Sequence, residues 1–215
     1  MRPTTALLSL AIATTIRALP APAPPSAAAA LDIKNISYWG SACPTSGLSA
    51  TLGAVDNTTG LAPLSFELAN FLPALGSFGS SLRMCSIVSF VSVSSGWTVS
   101  VNSKGTNARG RADVPGNATM YLRSSYAFAS SAEVQSVNML DVPGPLTGPF
   151  AKLLAPSAGD KGIVAPCGGG ELDIEFQARA VENDGVKEMA EGVWTGRAVN
   201  ETSWVLSTDV QVVRC

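Results

Sequence analysis

Residues 171–180, ELDIEFQARA, alternate with a period of two: Leu172, Ile174, Phe176, Ala178 and Ala180 fall between Glu171, Asp173, Glu175, Gln177 and Arg179. A strand sends successive side chains to opposite faces, so this pattern predicts a strand with one face on a core and the other in water. The same pattern recurs along the chain. In WTVSVN, Trp97, Val99 and Val101 oppose Thr98, Ser100 and Asn102; in MYLRSSYAF, Met120, Leu122, Tyr126 and Phe128 oppose Tyr121, Arg123 and Ser125. Residues 204–213, WVLSTDVQVV, read as a further strand, and less regular ones are expected at 33–39, 65–71, 83–93, 134–140 and 193–199.

The turn signals VDNTTG, VSSG, NSKG, VPGN and ENDG punctuate these runs. Many short strands with turns about every 8 to 12 residues predict an all-β fold. The expected architecture is an antiparallel β-sandwich, jelly-roll-like and stabilised by disulfides. Only Phe150–Leu154 suggests a helical turn. Residues 141–170 hold five prolines and no strand pattern, which predicts a long loop, either functional or a crossover between sheets.

The N-terminus is read separately. Met1 and Arg2 precede the apolar run ALLSLAIATTI, which is followed by RALPAPAPPSAAAA. One positive charge, about 11 apolar residues and small residues after them are the layout of a secretory signal peptide, and the run is too short to span a bilayer. Residues 1–18 are therefore expected to be a signal peptide and 19–30 a Pro/Ala-rich leader, leaving residues 31–215 for a single domain.

Net charge is −2 and only 14% of residues are charged, with no run of Lys or Arg. No basic footprint for nucleic acid exists, and no later segment predicts a membrane span. A secreted, extracellular protein is expected. Sequons at Asn35, Asn57, Asn117 and Asn200 predict a glycoprotein with those positions at the surface.

The four cysteines, Cys43, Cys85, Cys167 and Cys215, occur in a chain without histidine. A zinc site or a Cys-His nucleophile lacks its imidazole, and no C-x-x-C pair supplies a redox motif. Disulfides remain, with three possible connectivities. If the strands at 171–180 and 204–213 pair antiparallel, Cys167 and Cys215 meet at one end. The expected pairing is then Cys43 with Cys85 and Cys167 with Cys215.

The run GSACPTSG, then RMCSIVSFVSVSSGWTVSV, a glycine within ARGRADV, the strand YLRSSYAF, CGGGELDI and the terminal cysteine occur in an order that resembles a family of small secreted proteins of filamentous fungi and some bacteria, domain of unknown function 4360. The resemblance covers nearly all of the chain from Asp32 onward. It implies a secreted, β-rich, cysteine-bridged domain, and it brings no catalytic residues.

Without histidine a Ser-His-Asp triad is excluded. Glu171, Asp173 and Glu175 place three acids on one face of one strand, with neighbours roughly 6.5 to 7 Å apart. Such a pair could act as acid and base on a glycoside, or bind a hard cation such as calcium; the simpler reading is a solvated strand face. Trp97 and Trp204 fall in phase with apolar positions and are expected in the core. Trp39 and Trp194 are the candidates for stacking on a sugar. CGGGE is followed by neither a lysine nor a helix and is no phosphate loop.

The expected function is a non-enzymatic extracellular or cell-wall-associated binding or structural module, with polysaccharide or a surface protein as partner, no catalytic residues and no metal or cofactor beyond the calcium option. The alternatives are a carboxylate-based hydrolase and a secreted effector or inhibitor acting on another organism's proteins.

Overall fold

The computed structural model describes residues 30–68, 71, 75–76, 79–80, 82–183 and 204–215. The expected signal peptide, nearly all of the leader, the strand at 193–199, Trp194 and Asn200 lie outside these residues. Among the described residues thirteen strands follow in chain order: β1 (Leu31–Trp39), β2 (Ser49–Leu52), β3 (Leu61–Leu68), β4 (Leu75–Gly76), β5 (Gly79–Ser80), β6 (Leu82–Val93), β7 (Trp97–Val114), β8 (Ala118–Phe128), β9 (Gln135–Pro143), β10 (Leu146–Leu154), β11 (Ile163–Val164), β12 (Gly169–Glu182) and β13 (Trp204–Arg214). Among the described residues no helix is long and apolar enough to cross a membrane.

Eleven of the strands form two packed antiparallel sheets, and β4 and β5 pair with each other in a separate two-stranded one. The first has the order β1-β6-β12-β8-β9 and the second β10-β7-β13-β3-β2, with β11 beside the start of β7. The alternation in β12 sets the layering: Leu172, Ile174, Phe176, Ala178 and Ala180 are buried, and Glu171 and Arg179 are exposed. Phe176 meets Phe66 from the opposite sheet, ring centres 5.8 Å apart, and Tyr126 edge-on at 6.1 Å. Burying one such ring contributes about 1.5 to 3 kcal/mol. Trp204 packs against Phe150 and Phe71 at the other sheet.

Several expectations need correction. NSKG is not a turn. It is a bulge inside the long strand β7, where residues 102–105 face only Asp209 of β13 between the pairs Val101–Val210 and Thr106–Thr208. The Asp209 carboxylate accepts from the Lys104 amide at 2.8 Å and from the Ser103 hydroxyl, so it supplies a partner that the bulge denies the Lys104 N–H.

Residues 141–170 are not one long loop. They complete β9, form all of β10 and form β11, and Phe150–Leu154 is strand, not a helical turn. The prolines hid this, but β9 and β10 are edge strands, where a residue without an N–H costs no ladder bond. The strand expected at 65–71 runs from Leu61 to Leu68. Trp97 is only partly buried, at the end of the sandwich, where the Arg214 guanidinium lies 4.5 Å from its ring centre.

Both expected disulfides are present, Cys43–Cys85 and Cys167–Cys215, and no described cysteine is free. The route to the second differs from the expected one. β12 and β13 do not pair; they lie in different sheets. The start of β12 runs beside the end of β6 (Gly169 opposite Ser92), and the end of β13 runs beside the start of β7 (Arg214 opposite Trp97). The Ser94–Gly96 turn joins β6 to β7 across the sheets, so the two cysteines converge on it. The Gly168 amide donates to Trp97 O at 2.8 Å and the Cys215 amide to Gly96 O at 3.1 Å. The bridge therefore ties one sheet to the other.

Candidate binding site

The outer face of the first sheet is read by following its register across strands. One row runs Trp39, Ser86, Glu175, Ser125, Val137; the next runs Ser37, Val88, Asp173, Ala127, Gln135. Side chains directly opposite one another in a sheet share a face. Trp39, Asp173 and Glu175 are therefore brought onto one surface, with Trp39 in the row of Glu175 and two interstrand spacings from the strand that carries both acids. They line an open cleft of about 410 Å³ together with Val88, Arg123 and Gln135.

Trp39 is 55% exposed at the cleft wall. Its position is set by the chain that follows it. Gly40 has φ +128° and lies so close to β6 that a Cβ there would run into the Met84 carbonyl. The Ala42 amide then donates to that same carbonyl at 2.9 Å, and Cys43 is bonded to Cys85 of β6. The motif WGSAC is thus the device that clamps β1 to β6 just past the indole.

On the cleft floor, Arg123 Nη1 donates to Glu175 Oε1 at 3.0 Å, and Gln177 Nε2 donates to the same oxygen. Asp173 is held differently. It is partly buried, and its carboxyl sits above the usual carboxylate range because burial disfavours its charge and Glu171 adds a like charge. Glu171 itself lies at the exposed edge of the row, opposite Phe90. Phe90, Tyr121 and Met139 add exposed apolar surface around this polar centre. Among the described residues no group of three or more His, Cys, Asp or Glu is gathered to hold a metal ion; the β12 acids are strung along the face.

Three sequon asparagines are described and all are exposed: Asn35 in the β1 bulge, Asn57 in the β2–β3 turn, and Asn117 in the β7–β8 turn, where its amide donates to Glu182 Oε1 at 3.1 Å.

Residues 29–215 match the family described as Domain of unknown function (DUF4360). The chain belongs to this family. No curated protein matches it. A solved structure titled as TmCBM61 in complex with β-1,4-galactotriose is similar to this DUF4360 chain at 9% identity, covering 84% of this chain and 88% of that chain with a TM-score of 0.23. At that score no position of one chain is carried to the other.

The DUF4360 domain holds a second polar assembly, inside the sandwich. Asn102, on the β7 bulge with φ +65°, donates from Nδ2 to Ser136 Oγ at 2.8 Å. Its Oδ1 accepts from Asn138 Nδ2 at 2.9 Å, Thr208 Oγ1 at 3.0 Å and Thr106 Oγ1 at 3.2 Å. Thr106 also bonds Tyr126 OH at 2.7 Å and Ser124 Oγ at 2.8 Å. The Ser136 hydroxyl in turn donates outward to Asp160 Oδ2 at 2.8 Å. Burial pushes the Tyr126 hydroxyl well above its usual pKa, so it stays protonated. Among the described side-chain atoms of this assembly, Asn138 Oδ1 is left without a partner.

Sequence reasoning missed this cluster and missed Arg123 and Gln135 as cleft residues. Ser124 was the available signal: it stands in phase with Met120, Leu122, Tyr126 and Phe128, and a polar residue at an inward position needs a buried partner.

Proposed function

We propose that this DUF4360 domain is a secreted, non-enzymatic module that binds a polysaccharide chain in the cleft on the outer face of its first sheet. The observation that carries the reading is Trp39. It is a large indole left more than half exposed at the wall of a cleft whose floor presents Arg123, Gln135, Asp173 and Glu175. An aromatic face beside fixed donors and acceptors suits a sugar ring, which is apolar on its faces and ringed by hydroxyls. Secretion is supported by the apolar N-terminal run and by two disulfides, which persist in oxidising compartments. Exposed sequons are consistent with the same route.

The test is retention of the purified chain on a panel of insoluble cell-wall polysaccharides, compared with a Trp39→Ala variant of equal melting temperature. Retention of the parent on at least one polymer and its loss in the variant is the expected result. No retention on any polymer, or equal retention by the variant, overturns the reading. Turnover of a polymer that Asp173→Asn abolishes would make the domain a carboxylate hydrolase instead.

A further inference from the structure

The charges around the cleft are not evenly compensated. On the outer face of the first sheet, Lys34 is paired with Asp32 at 3.0 Å and Arg123 with Glu175 at 3.0 Å. Asp173 has no such partner among the described residues. From β6 it is faced by Ser86, Val88 and Phe90, from β8 by Ser125 and Ala127 with Arg123 already held by Glu175, and along its own strand by Glu171 and Glu175. A carboxylate partly withdrawn from water, with acids on either side along its strand and no ion-pair partner among the described residues, is a place where a ligand cation gains more than a neutral group. It stands on the floor of the same cleft whose wall is Trp39. Two interstrand spacings, about 9.5 Å, and one two-residue step along the strand, about 6.7 Å, separate the two positions, a span that a pyranose ring with its C2 substituent can bridge between the two side chains.

Resting on the polysaccharide reading above, we propose that the ligand is a hexosamine polymer bearing free primary amines, with one ring against Trp39 and its ammonium group directed at Asp173. The ammonium supplies the donors and the positive charge that Asp173 lacks, while the indole takes the apolar face of the ring. An uronic-acid polymer would meet like charge, and a neutral or N-acetylated polymer would leave the carboxylate uncompensated. The direction of the Asp173 shift fits this account, since the charge of an arriving cation opposes both the cost of burial and the Glu171 repulsion that produce it.

Three hexamers with the same β-1,4 backbone separate the possibilities, because they differ only at C2: glucosamine with an ammonium, N-acetylglucosamine with an amide, and glucose with a hydroxyl. Calorimetric titration of the full chain at pH 6 and low salt should give the glucosamine hexamer an affinity about tenfold or more above the other two. That ratio should shrink as salt rises. Asp173→Asn should bring it to near unity, Trp39→Ala should weaken whichever hexamers bind, and Asp113→Asn on the opposite sheet should leave the ratio as it is. Equal affinity for the three hexamers, or a preference that survives Asp173→Asn, overturns the amine assignment and leaves the polysaccharide reading standing. Failure of the chain to bind these hexamers or any polymer of the wider panel overturns both.

Discussion

Asn138 Nδ2 of β9 donates to Asn102 Oδ1 of β7 across the interior of the sandwich at 2.9 Å, joining the two sheets through a wholly buried polar contact. The same oxygen takes bonds from Thr106 and Thr208, so one amide satisfies three buried groups. Its backbone conformation, φ +65°, is one that L side chains adopt reluctantly. The bulge thus accepts local strain to place a single side chain where the two sheets share their polar atoms.

Removing that amide should leave several donors unpaired in a dry interior. Asn102→Ala is expected to lower unfolding free energy by about 3 kcal/mol or more, measured by urea denaturation. Asn102→Gly loses the same bonds but relieves the positive φ, and should be milder by about 1 kcal/mol. Equal losses for the two variants would mean that the backbone strain is not real.

The strands with strict alternation were legible because each buries one face and wets the other; β12 and β8 fall within two residues of their expected ends. β10 was not, because edge position cancels the usual meaning of proline and edge position is a tertiary property. The pairing of Cys167 with Cys215 was reached through a strand contact that does not exist, and it holds because a hairpin crossing between sheets brings the same two ends together. Glu175, Asp173 and Trp39 could each be singled out along the chain. Their convergence on one cleft depends on β6 lying between β1 and β12, an order that period-two alternation does not encode.

The two disulfides should behave differently. Cys43 and Cys85 are buried, whereas Cys167 and Cys215 are exposed at the end of the sandwich. A mild thiol reductant should open Cys167–Cys215 first, as read by peptide mapping after alkylation. Replacing that pair by alanine should cost up to about 4 kcal/mol by loop-closure entropy and leave polysaccharide retention intact once the protein is folded. Replacing Cys43 and Cys85 should cost at least as much and should also weaken retention, because that bridge fixes the strand end that carries Trp39.

Asp173 carries a signed pH effect. Its folded-state pKa lies above the unfolded value near 3.8, so the native state holds the proton more tightly. Such a group costs nothing while protonated, and its cost grows as pH rises through the window from the unfolded to the folded value. Asp173→Asn should therefore be slightly more stable than the parent at pH 7, by about 0.5 kcal/mol or less given the exposure of the group, and equal to it at pH 3. Melting curves of both proteins across that range decide it. A parent that is the more stable of the two at pH 7 would show that the carboxylate has a partner stabilising its charge.

Gly40 and Gly47 bracket the first cysteine motif and make a controlled pair. Both have positive φ, +128° and +111°, but a Cβ at Gly40 runs into β6 while a Cβ at Gly47 meets nothing within 4 Å. Gly47→Ala should register the backbone term alone, about 1 kcal/mol. Gly40→Ala adds a collision with the Met84 carbonyl that only separation of β1 from β6 can relieve, so it should cost about 2 kcal/mol more. Because that separation moves the adjacent residue, Gly40→Ala should also reduce polysaccharide retention at temperatures where both variants are fully folded, and Gly47→Ala should not. Retention that falls equally in both would sever the link between the close approach at Gly40 and the placement of the indole, and with it the role assigned here to the strand clamp.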